Sequence, residues 1–276
     1  MQFIRHYLLA LQFFTRIPVT GKLANWVGYS PAMLRASAAH FPGVGWLVGA
    51  LLAGLSALLW RVLPANTFAP LVVAALGTAM GILLTGAFHE DGLADVADGL
   101  GGSLERNRAL EIMKDSRVGA FGAIAVVMAL ITKVALLAQL AALGAGLLCL
   151  GVFLAHVVSR TWPLLLIRLL PHVGDAAGSK SKPLADQITL GALCAAWIWC
   201  AGAVGLALWI AANFAGLGLT FGFLAGRLVC AMGLSAVAFC LLWRWFARRL
   251  QGFTGDCLGT VQQVCELAFY LGLAIG

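Results

Sequence analysis

Hydrophobic residues run along this chain in long blocks, without the alternation of a sheet strand or the narrow stripe of a soluble helix. Seven apolar segments stand out, at about 43–63, 67–88, 118–143, 146–170, 189–213, 219–242 and 256–276. Each has the roughly 20 residues that an α-helix needs to cross the hydrocarbon core of a bilayer. The last is interrupted by Gln262, Gln263 and Glu266, so a re-entrant or partly buried helix suits it as well as a full span. The opening stretch, 1–19, is amphipathic, with Phe3, Tyr7, Leu8, Leu11 and Phe14 on one side and Arg5, Gln12 and Arg16 on others. That pattern predicts a helix lying in the interface or packed against a bundle. Its apolar run is short and lacks a small-x-small cleavage site, unlike a cleaved signal segment. The predicted fold is all-α: a polytopic membrane helix bundle of about seven transmembrane helices plus an N-terminal amphipathic helix. It forms one domain over 1–276, with 1–42 as an N-terminal interfacial region and 89–117 as a cytoplasmic motif segment.

Composition agrees. Of 276 residues, 62% are hydrophobic and 11% charged, and the mean hydropathy is +0.95. A soluble domain carries about 25% charged residues, so a soluble globule, a disordered chain and a secreted disulfide scaffold are excluded. Seven cysteines without a CxxC pair, most of them in apolar runs, read as small packing residues. The net charge of +7 has a topological reading, and no basic cluster interleaved with aromatics points to nucleic acid. Arg5, Arg16, Lys22 and Arg35 precede the first span; Arg106, Arg108, Lys114 and Arg117 follow the second. Lys180 and Lys182 follow the fourth, and Arg244, Arg248 and Arg249 the sixth. Under strict alternation of seven spans, all four groups fall on one face. The positive-inside rule then places the N-terminus and the long loops on the cytoplasmic side of the cell inner membrane.

The acidic residues are distributed quite differently. Seven of the 11 lie between 90 and 115: Glu90, Asp91, Asp95, Asp98, Glu105, Glu111 and Asp115. Asp91, Asp95 and Asp98 stand at i, i+4 and i+7, within an arc of roughly 60° on a helix. Three like charges on one stripe repel, and hard oxygen ligands at this spacing suit Mg²⁺ shared with substrate phosphates. The plain alternative is a solvated acidic helix, which Leu93, Val96, Ala97 and Leu100 would leave only half polar. Lys114 and Arg117 follow, three apart, so on a helix they face one way. With metal-binding carboxylates they make up the kit for a diphosphate; alone they would be topology anchors. Within the spans, Lys133, His156, Arg160, Arg227 and Glu266 are expected to face the bundle interior. Arg160 is read either as a phosphate contact or, like Lys133, as a partner of Glu266, and Arg227 as a snorkelling cation.

Two runs, His89-Glu90-Asp91-Gly92-Leu93-Ala94-Asp95-Val96-Ala97-Asp98-Gly99-Leu100 and Ile112-Met113-Lys114-Asp115-Ser116-Arg117-Val118-Gly119-Ala120-Phe121-Gly122, resemble the cobalamin synthase family (adenosylcobinamide-GDP ribazoletransferase). Leu11-Gln12-Phe13-Phe14-Thr15-Arg16-Ile17-Pro18-Val19 and Gly252-Phe253-Thr254-Gly255-Asp256-Cys257-Leu258-Gly259 add to the resemblance, which runs nearly the whole length. It implies a Mg²⁺-dependent transferase acting on adenosylcobinamide-GDP and α-ribazole, or α-ribazole 5′-phosphate. The expected products are adenosylcobalamin, or its 5′-phosphate, and GMP. Carried over with it are Glu90, Asp91, Asp95 and Asp98 around metal, and Lys114, Ser116, Arg117 and Asp256 toward substrate. Asp115 or Glu90 is the expected acceptor of the ribose hydroxyl proton. The lipid bilayer is the expected surrounding, and glycine-rich spans permit close packing between protomers or with other cobalamin-assembly enzymes. A CDP-alcohol phosphotransferase-like enzyme fits less well, because Asp95 stands close behind Asp91 and no Ala-Arg follows. A cation-coupled transporter would show inverted repeats with broken helices, and no repeat relates the two halves.

Overall fold

The structure is a computed structural model that describes residues 1–174 and 187–276; Lys180 and Lys182 lie outside the described residues. Three short helices open the chain: α1 (Gln2–Phe14), α2 (Gly21–Val27) and α3 (Pro31–Ser37). The Ser30 hydroxyl accepts from Met33 N at 3.1 Å, with Pro31 at the first helical position, a standard N-terminal stop. A 3₁₀ turn then leads into α4 (Phe41–Val62). The remaining helices are α5 (Ala69–Thr85), α6 (Phe88–Gly102), α7 (Arg106–Ile112), α8 (Ala120–Leu143), α9 (Ala145–Leu169), α10 (Leu190–Asn213), α11 (Phe221–Arg249) and α12 (Gly255–Ile275).

Six described helical segments are long and apolar enough to cross a membrane, and α5 with α6 makes a seventh, bent by 89° at its break. The chain is a multi-pass membrane protein. At the bend, Gly86 (φ +70) and Ala87 (φ +58) are consecutive left-handed residues. Gly86 closes α5 as a left-handed cap, and the second such residue swings the chain aside. In consequence the acidic part of the 89–117 segment is no solvated loop, because α6 turns inward and packs on α8 and α12.

α9 is the central helix, buried along almost its whole length, with α4, α8, α10 and α12 around it. The last apolar segment is a full helix. Its polar residues Gln262, Gln263 and Glu266 are buried and face the interior, which explains why they interrupt the hydrophobic run. The sixth span extends beyond 242 to Arg249. Its last turns are rich in arginine, a good helix former whose head reaches polar partners. Arg249 donates to Ser103 O at 2.6 Å and Arg106 to Leu250 O at 2.7 Å, tying the ends of α6 and α11 together.

Candidate active site

The acidic stripe is set by its backbone neighbours. Gly92 is pressed against the first turn of α12: a Cβ there would stand 2.8 Å from Asp256 O. Only glycine allows that approach, and it brings Asp256 beside the stripe. The contact is latched by the Thr260 hydroxyl, 3.0 Å from both Gly92 O and Asp256 O. The turn before Asp256 is pinned as well, since Phe253 exchanges backbone hydrogen bonds with Pro171 and Val173 at 3.0 and 2.9 Å. Thr254 then donates to the Asp256 carboxylate at 3.1 Å. Asp91 is exposed and Asp95 half-buried, and the charges of Asp256, Asp91 and Asp98 all bear on Asp95.

Asp98, expected to complete the stripe, is occupied otherwise. Its two carboxylate oxygens accept from Gly119 N at 2.7 Å and Gly122 N at 2.8 Å, capping the start of α8 from another helix. These are orphan donors of a helix N-terminus, where a carboxylate is favoured by hydrogen bonding and dipole alike. The remaining cluster is therefore Asp91, Asp95 and Asp256, exposed at Asp91 and partly buried at the other two, with Asp98 fastening α6 to α8 beside it. Among the described residues none of the three has an ion-pair partner, and no group of three His, Cys, Asp or Glu side chains is placed to hold a metal ion by itself. Carboxylate oxygens are the donor type that Mg²⁺ takes, and it draws its other ligands from water and substrate phosphates.

Glu90 points away from this cluster. It is buried and accepts from Gln263 Nε2 at 3.0 Å. From there a polar chain crosses the bundle: Gln263 to Gln262 (3.0 Å), and Gln262 to both Ser159 (3.0 Å) and Glu266 (2.7 Å). Glu266 pairs with Lys133 at 2.7 Å and accepts from Tyr270 at 3.1 Å. Arg160, 1% exposed, donates to His156 O at 2.8 Å and lies over the Phe41 ring. The interior reading of Lys133 and Glu266 is thus what the structure shows, and Arg160 is enclosed with them. Arg227 reaches the carbonyl of Leu273 and covers the Phe223 ring.

The basic motif departs from its helical expectation. α7 ends at Ile112, so Lys114, Ser116 and Arg117 lie on an irregular turn before α8. Asp115 makes the turn, accepting from Arg117 N at 3.1 Å as an Asx turn does. Its carboxylate also takes Arg117 Nη2 at 2.6 Å. The side-chain and backbone hydrogen bonds from Arg117 hold the Asp115 carboxyl down to about 2. The same contacts orient the Arg117 guanidinium. Both residues border an open cleft of about 560 Å³ that also reaches Asp98 and Arg108. Sequence reasoning missed Gly92 and Thr260, whose pairing with Asp256 depends on contacts across more than 160 residues.

Residues 6–274 match the Cobalamin-5-phosphate synthase family. Adenosylcobinamide-GDP ribazoletransferase of Albidiferax ferrireducens is 69% identical over 277 residues, covering 100% of this chain and 99% of the relative. The protein of that name from Polaromonas naphthalenivorans is 60% identical, with 100% and 99% covered. The one from Leptothrix cholodnii is 46% identical, with 99% and 96% covered. No solved structure matches the chain. An acidic cluster and a cationic turn joined by α6, in a chain that matches from end to end, lead to one conclusion: this chain belongs to the cobalamin-5-phosphate synthase family.

Proposed function

We propose that Asp91, Asp95 and Asp256 form the centre at which this membrane transferase of cobalamin biosynthesis works. The chain joins the adenosylcobinamide phosphate of adenosylcobinamide-GDP to a ribose hydroxyl of α-ribazole or its 5′-phosphate. The new oxygen–phosphorus bond forms as the anhydride bond to GMP breaks, and the hydroxyl proton passes to a carboxylate of the cluster. The observation that carries this reading is the juxtaposition at Gly92, which sets the charge of Asp256 against Asp91 and Asp95 with no ion-pair partner for any of them among the described residues. Mg²⁺ held by these carboxylates would supply the positive charge that a diphosphate and its departing phosphate need. Arg117, oriented by Asp115, and Lys114 face the charge that grows on the departing GMP. Glu90, turned into the bundle, holds α6 in place through Gln263.

The bilayer surrounds the outward faces of α4, α8, α10 and α11, where Leu58, Ile124, Ile131, Ile198 and Leu241 are exposed. We place the protein in the cell inner membrane, with the N-terminus, the C-terminal end of α6 and α7 on the cytoplasmic side. Arg106, Arg108, Lys114, Arg117, Arg244, Arg248 and Arg249 gather at that end, against Arg61 and Arg227 toward the other. The test is to incubate membranes carrying the protein with adenosylcobinamide-GDP, α-ribazole and Mg²⁺ and to measure GMP. Release that needs all three supports the reading; release without Mg²⁺ overturns its metal-binding part.

A further inference from the structure

The span that contains α4 and the span formed by α10 begin side by side, and α1 borders both. Between α1, α3 and α10 is a cleft of about 570 Å³, in the size range of small-molecule sites. Its polar lining is Gln2, His6, Arg35, His40, Gln187 and Thr189, and no described residue lining it is acidic. The helices around it have no carboxylate to offer, since no Asp or Glu precedes Glu90 and α10 contains none. Arg35 is exposed, and its guanidinium makes no hydrogen bond or ion pair among the described residues. A second guanidinium, that of Arg5, stands close enough for its charge to bear on His6.

His40 adds a directed donor. It is 5% exposed, and its ring stands edge-on to that of Phe3 at 4.6 Å. The indole N–H of Trp199, which only donates, meets His40 Nδ1 at 3.3 Å. In the neutral ring the proton therefore sits on Nε2. That N–H has no hydrogen-bond partner among the described residues. A buried donor without an acceptor, in a cleft with an unpaired guanidinium, suits an anionic oxygen.

The surroundings say which anion. Phe3 and Ile4 of α1, with Leu190 and Ile198 of α10, are exposed beside the cleft. Helices 31–62 and 190–213 are both apolar enough to cross a membrane, so the cleft sits where two spans reach the membrane surface. A free phosphate would use the donors and leave the apolar flank idle. A phospholipid uses both.

We propose that this cleft binds the head group of an anionic phospholipid. Its phosphodiester lies between Arg35 and the Nε2–H of His40, and its acyl chains run along the exposed face of α10. Cationic pockets between helices at a membrane surface hold acidic lipids through this combination of contacts. A zwitterionic lipid brings its own ammonium group to the cationic cleft and gains less. No residue of α6 or α12 lines the cleft, so the proposal stands independently of the transfer reaction.

The experiment offers the purified protein an equimolar mixture of phosphatidylglycerol and phosphatidylcholine in detergent. Retained lipid is counted by native mass spectrometry, and melting temperature is followed with each lipid alone. Wild type should retain phosphatidylglycerol in preference and melt higher in its presence. Arg35→Gln should lower that preference about tenfold, the scale of one lost charge-assisted hydrogen bond. Arg35→Lys keeps the charge and should restore most of it, and His40→Phe keeps the ring without the N–H and should lower it. Arg61→Gln, a cation at the opposite end of α4, should behave as wild type. An unchanged preference in Arg35→Gln or His40→Phe, or an equal loss in Arg61→Gln, overturns the proposal. So does inorganic phosphate alone, if it raises the melting temperature as far as phosphatidylglycerol does, because the site would then take a free anion.

Discussion

Two clusters of ionisable residues meet on either side of α6, and they are built on opposite plans. In the bundle interior, Lys133, Glu266, Glu90 and Arg160 are enclosed, and the chain from Glu90 through Gln263 and Gln262 to Glu266 and Lys133 gives each carboxylate a donor. On the outer face, the charges of Asp91, Asp95 and Asp256 bear on one another, and none of the three has an ion-pair partner among the described residues. Charge compensated within the fold serves to hold helices in register. Charge left uncompensated and open to solvent waits for a partner from outside. From Glu90 to Asp95, both plans occur on a single helix.

The comparison is broken most decisively by removing one charge from each cluster. Asp95→Asn should lower kcat for GMP release roughly a hundred- to a thousandfold, the scale of losing one electrostatic group at a reacting phosphate, with an unfolding midpoint no lower than wild type. Steady-state kinetics and thermal melting in the same detergent check both halves, and a destabilised, active Asp95→Asn would reverse them. Lys133→Met should do the opposite, leaving Glu266 buried and unpaired at a cost of about 3–5 kcal/mol in stability. Lys133→Met with Glu266→Gln should recover part of that loss in denaturant titration. No recovery would mean that the pair is not what holds the two helices.

Asp98 sharpens the boundary between the plans. Asp98→Asn offers one oxygen where the α8 N-terminus uses two, so a buried N–H is left without its acceptor. The expected cost is about 1–3 kcal/mol, whereas Asp91→Asn, on an exposed side chain, should cost no stability. Equal melting of the two variants would return Asp98 to the open cluster.

The smallest effect belongs to Asp115. Its carboxyl is depressed to about 2 by the hydrogen bonds from Arg117, so the contact is complete above the ordinary carboxylate range and is lost only as pH falls through about 2. Asp115→Asn should therefore leave the midpoint of the acid limb of the pH–rate profile where it is. A shifted midpoint would make Asp115 the proton acceptor.

Much of this was legible in the sequence because membrane spans depend on long local runs. All seven apolar segments are helices, and the stripe of Asp91, Asp95 and Asp98 lies on a helix as its spacing predicts. What escaped depends on partners far along the chain. Nothing local distinguishes Asp98 from Asp95, because the deciding N–H groups come from Gly119 and Gly122. The bend before α6 needs Ala87 in a left-handed conformation, for which alanine gives no signal. The paired cationic reading of Lys114 and Arg117 assumed a helix that Asp115 ends by binding the backbone of Arg117. Gln262, Gln263 and Glu266 looked like weaknesses in a span and are instead its inward face.

Asp256 tests the central claim most directly, because only the folded contact at Gly92 brings it to the stripe. The measurement is the initial rate of GMP release by Asp256→Asn across a Mg²⁺ titration, beside wild type and Glu105→Gln. The account predicts nearly abolished release with a raised Mg²⁺ requirement in Asp256→Asn, an unchanged melting temperature, and wild-type behaviour in Glu105→Gln. Full release by Asp256→Asn at the wild-type Mg²⁺ concentration would contradict it.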